Sequence, residues 1–169
     1  KRAVKWNLVD RVAPLSRFND AVAEEARSLA DAVTREKPKQ GVVLHPLKAS
    51  FEADQWTYEH LSVVFDANDR TATITLKAPE DLGPNTAEAI RDAGVAWWPM
   101  ALFRELDDAI LRLRFNAMES GTWIFRTEGK VDHVLAFDAL LDELQDDWFV
   151  SEVRHHIKRV LKRLQCSAR

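Results

Sequence analysis

Two hydrophobic periods follow one another along this chain, and their order limits what it can fold into. Leu61, Val63 and Phe65 alternate with more polar neighbours, Ala72, Ile74 and Leu76 alternate with Thr71, Thr73 and Thr75, and residues 66–70 between them carry turn chemistry. A period of two marks strands with one buried face, so this stretch reads as a β-hairpin. Farther on the period lengthens: Leu102, Leu106, Ala109, Ile110 and Leu113 share one helical face, with Arg104, Glu105, Asp107, Asp108 and Arg112 assigned to the others. Residues 122–127, rich in β-branched and aromatic types and bounded by Gly121 and Gly129, predict a third strand. Two helices close the chain over 134–144 and 147–165, the last with Phe149, Val153, Ile157, Val160 and Leu164 as its buried stripe. A strand reached from a hairpin through a helix needs a crossover connection, so the expected fold class is α/β.

The first part of the chain is organised differently. Val4, Trp6, Leu8, Val9 and Val12 before Pro14 read as a strand or extended lead-in, with Ser16 as the N-cap of a helix. Phe18, Val22, Ala26, Leu29 and Val33 fall on one face of that helix, which Lys37-Pro38 is expected to end. Residues 37–57, with Pro38, Gly41 and Pro46 and no sustained period, read as a connector carrying the domain boundary. The stretch from Pro79 through Leu82-Gly83-Pro84-Asn85 is turn-rich and leads to Trp97-Trp98-Pro99.

Composition narrows the classes. Of 169 residues 46% are hydrophobic and 30% charged, the balance of a soluble globular chain. A single cysteine, Cys166, excludes a disulfide framework and a multi-cysteine zinc site and suits a reducing cytoplasm. No apolar run approaches the roughly 20 residues of a spanning helix, so no membrane partner is expected. The formal net charge of −3 argues against nucleic acid as a partner. That charge is unevenly spread: residues 152–169 carry six cations against one anion, giving +5 and leaving −8 for the rest. The chain opens on Lys1 rather than Met, so an interior stretch of something longer is expected.

Candidate chemistry is sparse. His133, His155, His156 and Cys166 could suggest a metal, but adjacent histidines point about 100° apart on a helix, so a surface pair is the reading and no metal is expected. Arg154, Lys158 and Lys162, at i, i+4 and i+8, could receive phosphates or an acidic surface; such a row is more commonly a solvated face complementing the helix C-terminus. The pairs Glu24-Glu25, Asp107-Asp108 and Asp146-Asp147 diverge as sequence neighbours do on helices and are assigned to surface or capping roles. Trp97-Trp98-Pro99 could line a channel, with packing the preferred reading.

Two passages carry a resemblance. Asn7-Leu8-Val9-Asp10-Arg11-Val12-Ala13-Pro14 and the helix after it resemble a late segment of the crotonase superfamily, with Asn7 in place of the usual glycine. The passage from Tyr58 to Pro79 resembles the first hairpin of the same fold, and the stretches 102–113 and 123–127 followed by Glu128-Gly129 resemble its first helix and next strand. A tail before a head implies a segment of a longer, two-half polypeptide: 1–36 the tail of one half, 37–57 the connector, and 58–169 an incomplete second half of ββα type.

The phrases 98–114 and 121–129 and the connector 51–66 are similar to those of the tandem, ring-opening branch of the superfamily. This implies a lyase or hydrolase acting on epoxybenzoyl-CoA in aerobic benzoate degradation, with CoA as part of the substrate and no separate cofactor; a cut core would leave apolar faces uncovered, so a homo-oligomer is expected, and the cysteine usage already suits a cytoplasmic protein. Its partners would be the rest of the same polypeptide or other copies of the chain. The family's thioester chemistry needs two backbone N–H donors aimed at an oxyanion. Where the family has an "A-G-A-D" run for one of them, this chain has Val134-Leu135-Ala136-Phe137-Asp138. The glycine is missing, so no catalytic residue is expected in the segment. Two alternatives remain open: a fragment of an enoyl-CoA hydratase or isomerase, and a stand-alone interaction domain using the basic terminal helix.

Overall fold

The computed structural model describes residues 2–33 and 41–167. The chain divides into two compact units, Lys1–Gly41 and Val42–Arg169.

The first unit begins with a short helix, α1 (Arg2–Lys5), where the sequence suggested a strand. Its end explains the difference. Asn7 adopts a left-handed conformation, φ 54°, while its N–H bonds Val4 O at 3.0 Å and that of Leu8 bonds Ala3 O at 2.9 Å. This is a Schellman ending, which asparagine or glycine tolerates best. Asn7 therefore does at this position what a glycine would do. Residues 9–14 form no strand, and a 3-10 turn, Leu15–Arg17, leads into α2 (Phe18–Asp31). Ser16 lies within that turn, and α2 opens without a side-chain cap. The expected helix end at Lys37-Pro38 lies outside the described residues, and α2 stops earlier. Its apolar stripe, Phe18, Val22, Leu29 and Val33, is exposed.

The second unit is built on a five-stranded sheet in the order β1 (Ser50–Phe51), β2 (Gln55–Thr57), β3 (Leu61–Asp66), β4 (Thr71–Lys77), β5 (Thr122–Glu128). The first four strands form an antiparallel meander, and β5 joins β4 in parallel. The expected crossover thus exists. The stretch read as a connector over 37–57 contributes β1 and β2, which are too short to show a period. Between β4 and β5 run α3 (Ala87–Ala93) and α4 (Trp98–Asn116). The sequence reading missed α3, although Thr86 caps it by accepting the N–H of Ala89 at 3.3 Å. After β5 come α5 (Val131–Glu143) and α6 (Trp148–Ser167), close to the expected spans.

The hairpin is closed by an Asx turn in which Asp66 Oδ1 accepts the N–H groups of Asn68 at 2.9 Å and Asp69 at 3.0 Å. The alternation predicts its faces correctly: Leu61, Val63, Ala72 and Ile74 are fully buried against Leu102, Leu106, Ala109, Ile110 and Leu113 of α4. α6 adds Val160 to that core. A second cluster joins Ile90, Trp97, Phe137, Phe149, Val150 and Val153 across α3, α5 and α6. Of the stripe expected on α6, Phe149, Val153 and Val160 are buried, and Ile157 and Leu164 are partly so.

Candidate functional site

One feature of α4 departs from the sequence reading. Glu105, assigned to a polar face, is 5% exposed, the one buried charged side chain among the described residues. Helical spacing accounts for it, since Glu105 follows Leu102 by three positions and precedes Ala109 by four, which puts it on the apolar stripe. Its Oε2 accepts the backbone N–H of His60 at 2.8 Å, so the side chain satisfies the tight turn between β2 and β3. Burial pushes its pKa up from 4.5 to about 7, against the opposing effect of backbone N–H groups at His60 and Glu59. Burial likewise lowers the pKa of His60.

One turn along α4, the Tyr58 hydroxyl donates to Asp108 Oδ2 at 2.7 Å, and Arg112 Nε donates to the same oxygen at 2.7 Å. Burial, then the Asp108 carboxylate, raises the Tyr58 pKa. The Arg112 guanidinium also lies 3.9 Å from the centre of the Phe51 ring. Glu105, Tyr58, Asp108 and Arg112 therefore tie the meander to α4. Every described polar contact in this group is internal to the fold, and none converges on an open cavity with a nucleophile.

The C-terminal ends of the parallel pair, where ligands of α/β sheets commonly bind, are filled. Ala78 N–H bonds Glu128 O at 2.7 Å, Trp98 Nε1 donates to Lys77 O at 3.2 Å, and His133 Nδ1 meets Pro79 O at 2.9 Å. Gly129, at φ 107°, passes so close that a Cβ there would meet Ala78 Cβ at 2.7 Å. The run 134–138 lies inside α5. Phe137 is 3% exposed, its ring 5.2 Å from that of Trp98 and 6.2 Å from that of Trp97. The tryptophan pair packs the core, as preferred from the sequence.

The other candidates separate. Glu24 and Glu25 receive Arg11 at 3.1 and 3.5 Å. Asp107 pairs with Arg163 at 3.0 Å. Asp147 caps α6 by accepting the N–H groups of Phe149 and Val150, and also pairs with Arg91. The row on α6 is not uniform: Arg154 turns onto Asp142 and Gln145 at 2.9 Å each, while Lys158 and Lys162 line a shallow groove of about 520 Å³. His155 is exposed and His156 half-buried, its Nδ1 taking Arg159 at 2.8 Å; burial lowers its pKa. Among the described residues no three His, Cys, Asp or Glu side chains could hold a metal ion, and no helix is long and apolar enough to cross a membrane. Sequence reasoning missed Glu105 and Tyr58.

The segment is thus a mixed α/β fold with a filled strand-end crevice and an inward-looking polar cluster. No protein-family model matches it. Over all of its 169 residues it is 38% identical to benzoyl-CoA-dihydrodiol lyase of Aromatoleum evansii. It spans 30% of that protein's length, and so matches a segment of it.

Proposed function

We propose that the chain is a non-catalytic segment of a ring-opening lyase of aerobic benzoate degradation, a longer two-half protein acting on epoxybenzoyl-CoA. The observation that carries this reading is the 38% identity, over all 169 residues of the chain, to benzoyl-CoA-dihydrodiol lyase. In the two-half reading, residues 1–36 end one crotonase-like half and 58–169 begin another. In the parent activity, water opens the strained ring with release of formate and an aliphatic semialdehyde thioester of CoA.

The local geometry supports a structural role for the segment. A backbone oxyanion donor needs its N–H free to face the substrate, whereas residues 134–138 sit within α5 and Phe137 is packed under Trp97 and Trp98. The raised pKa of Glu105 would suit an acid or base, but its carboxyl faces the His60 amide inside the core rather than a pocket.

The test uses the longer protein. It should convert epoxybenzoyl-CoA with release of formate, and H133A, H156A and D108N should retain kcat within about threefold, since none touches the reacting atoms. A drop of about a hundredfold or more in a variant that still folds would overturn the non-catalytic assignment. Turnover of aliphatic enoyl-CoA without formate release would overturn the ring-opening one.

A further inference from the structure

The terminal helix neutralises its cations selectively. Arg154 is turned onto Asp142 and Gln145 of the chain before α6, and Arg163 pairs with Asp107 of α4 at 3.0 Å. Between them His155, Lys158, Arg159 and Lys162 follow at i, i+3, i+4 and i+7, which places them on one face of the helix. All four are exposed, and among the described residues no carboxylate pairs with any of them. Arg159 meets His156 Nδ1 at 2.8 Å and Lys162 donates to Gln165 Oε1 at 2.8 Å, uncharged partners that leave both cations unneutralised.

A solvated helix face commonly interleaves the two signs at i and i+4. Here Glu152 is the only acid from residue 152 onward, in a chain whose acids outnumber its cations. The same stripe, with Leu161 and Gln165, lines the groove of about 520 Å³, and Leu161 is 49% exposed within it. A space of that order suits a small molecule, whereas a stable protein interface takes about 800 Å² from each partner.

We propose that this face of α6 is a phosphate-binding site whose occupant is the nucleotide end of a coenzyme A thioester. The occupant rests on the ring-opening reading, in which the substrate carries a diphosphate and a ribose phosphate at the far end of a long arm. That end is remote from the reacting ring, so a segment without catalytic groups can hold it in a groove too open to enclose chemistry. Lysine meets phosphate as a point charge on a flexible stem, and Leu161 offers an apolar surface to the adenine. Binding energy gained so far from the ring serves to position the substrate.

The test titrates the longer protein with CoA by calorimetry. K158E/K162E should weaken CoA binding about tenfold, by less as ionic strength rises, while K158R/K162R stays within about twofold. S-benzoylpantetheine, which has the thioester but no phosphate, should bind the native and K158E/K162E proteins alike. A native protein that binds no CoA, or equal CoA affinity in the native and K158E/K162E proteins, would overturn the site. An equal loss for S-benzoylpantetheine would do the same, by marking a structural defect. Unchanged CoA binding with altered sedimentation would also overturn it, by assigning the stripe to an acidic protein surface. Formate release from epoxybenzoyl-CoA, followed on the same preparation, keeps the two proposals apart: charge-dependent CoA binding without ring opening removes the reaction and leaves the site standing.

Discussion

The buried carboxyl of Glu105 accepts the backbone N–H of His60 at 2.8 Å, joining the middle of α4 to the turn between β2 and β3. The turn could otherwise bury an unmatched N–H, and the helix could otherwise carry an apolar side chain at that position. The acid is retained inside the core at the cost of a pKa near 7.

This gives stability a defined dependence on pH. The pKa of Glu105 is about 7 in the folded protein against 4.5 ordinarily. Between those values the folded state holds the proton that the unfolded state releases, so stability falls as pH rises. Relative to E105Q, the native protein should lose on the order of 3 kcal/mol between about pH 4.5 and 7, and then level off. His60, whose pKa is lowered by burial, acts in the opposite direction toward acid pH and is common to both proteins. Denaturant unfolding of the pair across that range checks the prediction; parallel curves would refute it.

Tyr58 and Arg112 donate to one oxygen of Asp108, both at 2.7 Å. Removing the hydroxyl in Y58F leaves the ion pair but deletes a largely buried, charge-assisted hydrogen bond. The expected cost is about 1.5–3 kcal/mol, measured as a shift in the unfolding midpoint with an unchanged denaturant slope.

Gly129 combines a φ of 107° with a 2.7 Å approach to Ala78. G129A should destabilise by about 2–4 kcal/mol, because the left-handed backbone and the overlap with Ala78 both oppose a Cβ. By contrast, G41A should fall within about 0.5 kcal/mol, since open space surrounds that position. Thermal unfolding of the two variants makes the comparison.

Phe137 fills the space beneath Trp97 and Trp98. F137A should cost about 3–5 kcal/mol through the cavity it leaves, and should alter the near-ultraviolet circular dichroism of the two indoles. A small loss of stability with unchanged aromatic signals would show that α5 is not anchored there.

What the sequence determined was the local order of elements and the faces of the longer ones. Periods of two and 3.6 carry that information residue by residue, which is why the hairpin from Leu61 to Lys77 and the core stripe of α4 were legible. The short elements β1, β2 and α3 escaped because two to seven residues repeat a period at most about twice, too briefly to count. Reading residues 4–12 as a strand or extended lead-in missed α1 for a related reason: hydrophobicity alone does not register that Asn7 turns left-handed and ends a helix.

Tertiary structure decided the rest. Whether Glu105 is solvated depends on the His60 amide that the meander brings to it, and whether Arg154 stays available depends on Asp142 and Gln145. At the ends of β4 and β5, Phe137 and His133 of α5 meet Trp98 of α4 and Pro79 O, groups far apart in the chain. A side chain's burial and its partners are set by groups distant in the chain. Linear spacing can assign a residue to a helix face, but what that face meets is settled only when the elements pack.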